Sequence, residues 1–266
     1  MALYGFIGVG NMGFALLKAA HLVFGEDEIA YYDVSMDRCS LVAEQINIIA
    51  EASNADVVAK CKYLVLAVKP QYFSAVLEDI KEMITDHIII SIAAGVTIES
   101  IKSILGNKVR VVRAMPNTPA LISKGATGVS FSSDLFHDSE KAQLDVFFKS
   151  FGEYDVFDEK FMNAVTCASG SSPAYVYTFI EALADSVVSL GIPRDKAYIL
   201  VAQTVMGAAS MVLETKEHPG VLKDRVCSPG GTTIAGIKAL EEYGFRNAII
   251  KATNACYKRA NELSIN

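Results

Sequence analysis

What this chain lacks narrows its chemistry before any motif is read. Its five cysteines (Cys39, Cys61, Cys167, Cys227 and Cys256) are odd in number and contain no Cys-x-x-Cys pair. That argues against a disulfide framework or a zinc site and fits a reducing compartment. The four histidines, His21, His87, His137 and His218, have no ligand spacing, so no metal is expected. No block of Lys and Arg is present and the net charge is −6. Phosphate backbones need clustered cations, so no nucleic-acid partner is expected. The start, MALYGFIGVGNMG, has no basic stretch and runs straight into a strand, which makes the cytoplasm the expected location. No repeat or low-complexity tract is visible. The uncharged run from Ala197 to Leu213 is at the short edge of a bilayer span. Gln203, Thr204, Gly207 and Ser210 dilute it, so a buried helix and no membrane partner are expected.

What remains is a chain of 266 residues, 52% hydrophobic and 20% charged, able to bury a large core in one or two domains. Its pattern changes once. Up to residue 157, the apolar runs LYGFIG, EIAYYD, YLVLAV, HIIISI and VRVVRA alternate with helical stretches, the mark of an α/β fold with a parallel sheet and crossover helices. From 158 to 266 no comparable run occurs. Helices there are punctuated by SSP, GIP, HPG and SPGG, with prolines suited to first helical turns. Along 173–190 only Glu181 and Asp185 are charged, so most of that helix's circumference calls for burial. A region this short has limited capacity to bury so many apolar faces alone, which points to a second subunit.

Gly8, Gly10 and Gly13 spell G-x-G-x-x-G directly after the first strand and at the start of a helix. In that context Gly8 permits a tight turn, Gly10 leaves room for a pyrophosphate, and Gly13 allows close helix–strand packing. Asp33 ends the second strand about 20 residues later, where a carboxylate meets the adenosine ribose. It favours NADH over NADPH modestly, because it repels a 2′-phosphate. Ser35 and Arg38 behind it offer a hydroxyl and a cation for that same phosphate.

Further strand ends carry related signals. Lys69 and Pro70 follow YLVLAV, and Ala93, Ala94 and Gly95 follow HIIISI, all at the edge where open α/β sheets bind ligands. Small residues there leave space for a nicotinamide. Asn117, in RAMPNTPAL, stands in a rigid polar corner that is equally readable as a structural turn. Far downstream, SPGGTTIAG precedes an amphipathic helix, with Thr232 or Thr233 at the expected N-cap. A helix start of this kind directs unpaired N–H groups outward and attracts anions.

Taken in order, GFIGVGNMG, LAVKP, SIAAGVTI, MPNTPAL, PAYVYTFIEALAD, VAQTVMGAAS and above all SPGGTTIAG resemble the pyrroline-5-carboxylate reductase family over nearly the whole chain. The resemblance implies a Rossmann-type dinucleotide-binding domain (1–157) and an all-helical substrate and dimerisation domain (158–266). It implies NAD(P)H-dependent reduction of 1-pyrroline-5-carboxylate to L-proline by a homodimer, assembled into decamers in some members. Coenzyme contacts are then expected at Ile7, Gly8, Val9, Gly10, Asn11, Met12, Gly13, Asp33, Ser35, Asn54, Ala67, Val68, Lys69, Pro70, Ala93, Ala94, Gly95 and Asn117. Substrate contacts are expected at Ser228, Gly230, Gly231, Thr232 and Thr233, with Glu159 a more remote candidate and Thr233 the catalytic one. Two departures stand out. YDVS replaces an NRS-like sequence found in some NADP-preferring members, and Ser172 stands where glycine is common, fitting an N-cap before Pro173.

Other readings make different demands. A hydroxyacid dehydrogenase of the 6-phosphogluconate dehydrogenase-like group shares the glycine fingerprint and a helical C-terminal domain. It needs a catalytic lysine on the long helix after the boundary, and 173–190 contains none. A non-catalytic nucleotide sensor predicts a degraded substrate loop, whereas SPGGTTIAG is intact.

Overall fold

The computed structural model describes residues 2–264; Met1, Ile265 and Asn266, at the ends of the two expected spans, lie outside the described residues. The chain divides into a first unit that runs to Ser171 and is rejoined at Cys256, and a second unit, Ser172–Ala255.

The first unit holds the strands β1 (Tyr4–Ile7), β2 (Ile29–Tyr32), β3 (Tyr63–Leu66), β4 (Ile88–Ser91), β5 (Arg110–Met115), β6 (Gly125–Phe131) and β7 (Gly152–Val156). They form a seven-stranded sheet in the order β2-β1-β3-β4-β5-β6-β7. The five expected strands are β1 to β5, and all pair in parallel. Beyond the expected parallel strands, β6 runs antiparallel to β5, with Met115 opposite Gly128. The link from Met115 to Gly125 is too short for the crossover that a parallel partner requires. β7 then pairs in parallel with β6. Neither strand was expected, because GATGVSF and GEYDV are diluted by small and charged residues.

The faces of the sheet carry α1 (Asn11–Phe24), α2 (Met36–Ile46), α3 (Asn54–Lys60), α4 (Pro70–Ile80), α5 (Ile98–Leu105) and α6 (Asp138–Lys149). Strands covered on both sides read as unbroken apolar runs, which is why IIIS and YLVL show little alternation. One core gathers Phe6, Tyr31, Leu16, Leu17 and Phe147; the other gathers Ile7, Leu64, Ile89, Val57 and Phe73. Tyr4 stacks on Tyr63 and Phe147 with ring centroids 5.0 and 4.7 Å away. Its hydroxyl donates to the Gln143 carbonyl at 2.9 Å, so the buried phenol is not left unpaired. Beyond the sheet, α7 (Met162–Val165) runs into a π-helical turn, Thr166–Gly170.

The second unit consists of α8 (Ser172–Ser189), α9 (Arg194–Thr215), α10 (Pro219–Val226), α11 (Thr232–Glu242) and the first part of α12 (Phe245–Ser264), whose last turns belong to the first unit. Ser172, expected as a cap, is the first residue of α8. The α8–α9 hairpin turns at Gly191, whose φ of +101° suits glycine, and Pro193 is the N-cap of α9. Its core is small: Ala184, Ala197 and Val201, flanked by Ile180, Leu183 and Val188. By length and composition alone, α9 could cross a membrane. The burial expected for it is met within the chain at Ala197 and Val201 alone. Ile199, Met206 and Leu213, spaced by seven residues on one stripe, are 73%, 56% and 74% exposed.

Candidate active site

In the first unit the chain reverses its direction of winding between β1 and β3, which places a crevice outside the carboxyl ends of those strands. The loops that border it are held together by glycines. Gly8 has a φ of +90°, and a Cβ there would stand 2.9 Å from Val68 Cγ1 and 3.0 Å from the Ala67 carbonyl. At Gly13 a Cβ would come 2.3 Å from the Gly8 carbonyl oxygen, so α1 can start this close to β1 through glycine alone. Gly10 differs: a Cβ there would meet nothing within 4 Å. Gly10 is also the N-cap of α1 and supplies no side-chain cap. Helix geometry then leaves the N–H groups of Asn11, Met12 and Gly13 without an intrahelical acceptor. Open space before an uncapped helix start is what a pyrophosphate requires.

Asp33 lies on the rim of this crevice. Its Oδ2 accepts from Val9 N–H at 2.7 Å and its Oδ1 accepts from Ser35 N–H at 2.9 Å. One carboxylate thus ties the end of β2 to the glycine loop. The Ser35 hydroxyl caps α2 by accepting from Arg38 N–H, and the Arg38 guanidinium donates to Asn11 Oδ1 at 3.1 Å. Ile7, Gly8, Asp33, Asn54 and Val68 line one small cavity, and Asn54 Nδ2 is drawn toward Asp79. On the other side, Pro70, Ala94 and Gly95 line a second cavity, of about 170 Å³. Lys69 is the exposed N-cap of α4. Ala93 is buried.

The second unit presents its own helix start. Ser228 to Gly231 form a turn closed by Gly231 N–H donating to the Ser228 carbonyl at 3.1 Å. Gly230 has a φ of +69°, and a Cβ on Gly231 would strike Ser228 Oγ at 2.4 Å. The turn thus requires glycine at 230 through its backbone conformation, while at 231 a Cβ would only force the Ser228 hydroxyl to move. The expected N-cap is corrected: it is Gly231, not Thr232 or Thr233, and it has no side-chain cap. The threonines occupy the first two positions of α11, so their hydroxyls are not used for capping. The N–H groups of Thr232, Thr233 and Ile234 face forward without intrahelical acceptors.

Residues 159–263 match the family model for pyrroline-5-carboxylate reductase dimerisation, and residues 3–95 match that for coenzyme F420-dependent NADP oxidoreductases. The pyrroline-5-carboxylate reductase of Escherichia coli is 44% identical over 264 residues, 98% of this chain and 97% of that protein. The Methanosarcina acetivorans reductase is 43% identical over 97% of both. The chain belongs to the pyrroline-5-carboxylate reductase family. Among solved structures, the Plasmodium falciparum pyrroline carboxylate reductase with NADP bound superposes with a TM-score of 0.89 at 30% identity, over 99% of this chain and 98% of that one.

Two other residues expected at the site are engaged elsewhere in the first unit. Asn117 is buried; its Nδ2 donates to the Ser169 carbonyl at 3.0 Å and its Oδ1 accepts from Ala126 N–H at 2.9 Å. That side chain braces the β5–β6 corner and has little left for a ligand. Glu159 Oε1 accepts from Ile98 N–H, the first helical N–H of α5, at 2.7 Å and faces Arg113 Nη1 at 3.2 Å. It therefore fixes the segment that follows Gly95.

Arg113 was missed, although its signal was present: an arginine inside the apolar strand VRVVRA, 5% exposed, must find a partner. Among the described residues no group of three or more His, Cys, Asp or Glu could hold a metal ion.

Proposed function

We propose that this member of the family reduces 1-pyrroline-5-carboxylate to L-proline with NAD(P)H. The observation that carries the reading is the turn Ser228–Gly231, which presents the start of α11 uncapped and places two threonines in its first turn. A five-membered cyclic imine bearing a carboxylate needs an anion cradle at one end and a polar contact to the ring nitrogen at the other. The N–H groups of Thr232, Thr233 and Ile234 supply the cradle. The Thr233 hydroxyl accepts the N–H of the protonated imine and orients it; it is too weak an acid to donate that proton at neutral pH.

When bound, NAD(P)H supplies the hydride that the imine carbon takes. Gly10 and the first N–H groups of α1 hold the pyrophosphate. Asp33 still has lone pairs free after its two backbone bonds and takes the ribose hydroxyls. Ala94, Gly95, Lys69 and Pro70 border the nicotinamide side. Glu159 acts from behind, by fixing α5 against β5. NADH is used at least as well as NADPH, since Asp33 opposes a 2′-phosphate more strongly than Arg38, already turned to Asn11, attracts it.

The coenzyme part is residues 1–157 and the substrate and dimerisation part 158–266, a division supported by the end of the last strand at Val156 and the start of the family match at 159. The active form is a homodimer in the cytoplasm, with decamers a further stage of assembly. The test is the decay of NADH or NADPH absorbance with pyrroline-5-carboxylate as the only acceptor. Proline should form in step with coenzyme oxidation; coenzyme that stays reduced with both cofactors defeats the reading.

A further inference from the structure

The chain leaves the first unit after Ser171 and re-enters it at Cys256, and a cysteine stands beside each crossing. Cys167 lies in the π-helical turn Thr166–Gly170, just before the exit, and Cys256 is the first residue after the return. Cys167 is buried and Cys256 half-buried. The two side chains lie within hydrogen-bonding reach of each other. Their neighbours form a ladder. One rung below, Asn163 Nδ2 donates to Asn261 Oδ1 at 2.8 Å; above, the Cys256 thiol donates to Ser171 Oγ at 3.3 Å. The last turns of α12 thus run antiparallel to the segment from Asn163 to Ser171, with the two thiols facing each other in the middle.

We infer that Cys167 and Cys256 are a modification site, a reversible disulfide formed on exposure to a peroxide that clasps the two crossings of the chain. Access sets the order of events. Cys256, the more exposed thiol, reacts first: its thiolate attacks one peroxide oxygen, the O–O bond breaks and water leaves, giving a sulfenic acid. The sulfur of Cys167 then attacks the Cys256 sulfur, the S–O bond breaks, and the departing hydroxide takes the Cys167 proton as a second water. In total two thiols and one peroxide give one disulfide and two waters. Burial, and then the neighbouring Cys256, push the Cys167 thiol up to about 11. Cys167 therefore waits as a thiol until Cys256 has been activated. The closed loop contains the whole helical unit, and a cross-link over a long loop restricts the unfolded chain most.

The experiment exposes the full-length protein to a small excess of hydrogen peroxide, blocks remaining thiols by alkylation and maps the peptides by mass spectrometry without reduction. The expected product is an intramolecular link between the Cys167 and Cys256 peptides, lighter by two hydrogen atoms and reopened by dithiothreitol. The unfolding midpoint should rise by about 5–10 °C on oxidation. Cys256→Ser, a change at the more exposed position, should abolish both the link and the rise while leaving the untreated protein folded. The inference is overturned if Cys167 remains fully alkylatable while Cys256 is oxidised, or if Cys256 pairs with a cysteine of another chain. A link that forms without raising the midpoint overturns the clasp.

Discussion

The two units bury their apolar residues to very different degrees. In the first, strands and helices close two cores around Tyr4, Phe6, Leu64 and Ile89, all fully buried. In the second, burial within the chain stops at three small aliphatic residues, while Ile199, Met206 and Leu213 leave an apolar stripe open along α9. An apolar stripe of this kind marks an interaction surface. The first unit closes its cores within the chain, whereas the helical region matches the pyrroline-5-carboxylate reductase dimerisation family, which supports oligomer formation. The proposed coenzyme crevice thus lies in a unit with large cores of its own, and the proposed substrate loop in a unit that leaves an apolar stripe open.

The most damaging change to this contrast is a charge on the open stripe. Met206→Lys should weaken self-association by roughly 30- to 1000-fold, as expected for the loss of an interface anchor, and activity should fall with it. Sedimentation and activity measured on the same samples check this; an active, unaltered dimer would assign the stripe another role. Next is the substrate loop. Thr233→Val keeps the shape and removes one polar contact to a charged nitrogen, worth about 1.5–3 kcal/mol or about 10- to 150-fold in kcat/KM for the imine. The coenzyme Kd should barely move. If Thr232→Val is crippled instead, the two threonines exchange roles.

The first unit should respond to its own substitutions without involving the second. Glu140, buried, is bonded by Lys62 at 2.7 Å and by Arg110 at 2.6 Å. Burial opposes its ionisation, but Lys62, the His137 N–H and Arg110 outweigh it and hold the carboxyl at about 2 instead of 4.5. A folded-state value below the unfolded one adds stability above pH 4.5, stability that is lost as pH falls toward about 2. Glu140→Gln should cost about 3 kcal/mol at neutral pH and flatten that acid limb, read by denaturant melts across pH. Smaller still is the contrast between two glycines. Gly13→Ala should destabilise the fold because its Cβ meets the Gly8 carbonyl at 2.3 Å, whereas Gly10→Ala, with open space, should leave the melting point alone and weaken coenzyme binding. Calorimetry with and without NADPH separates the two.

How far this contrast was readable in the sequence depended on how local its causes are. β1 to β5 announce themselves because a strand covered on both faces must be continuously apolar. The glycine loop was legible residue by residue, since a positive φ at Gly8 and the near-contact at Gly13 leave few alternatives. β6 and β7 stayed hidden because their pairing follows from the short link after β5, a topological fact with little local composition behind it. The N-cap at Gly231 was missed for a related reason: a threonine is the better cap by statistics, but the Ser228–Gly231 turn starts the helix one residue earlier. Asn117 is readable as a candidate because it stands in a polar corner at a strand end, and Glu159 only through the family resemblance. The bonds that engage them come from Ala126, Ser169, Ile98 and Arg113, distant in sequence.

The claim that the helical unit works only when two copies share it is tested most directly by dilution. Specific activity and sedimentation should be measured side by side over falling protein concentration, with pyrroline-5-carboxylate and NADH saturating. The account predicts that activity per chain declines in step with the dimer, leaving a monomer that still binds coenzyme but does not turn over. A monomer that retains the full activity per chain would contradict it.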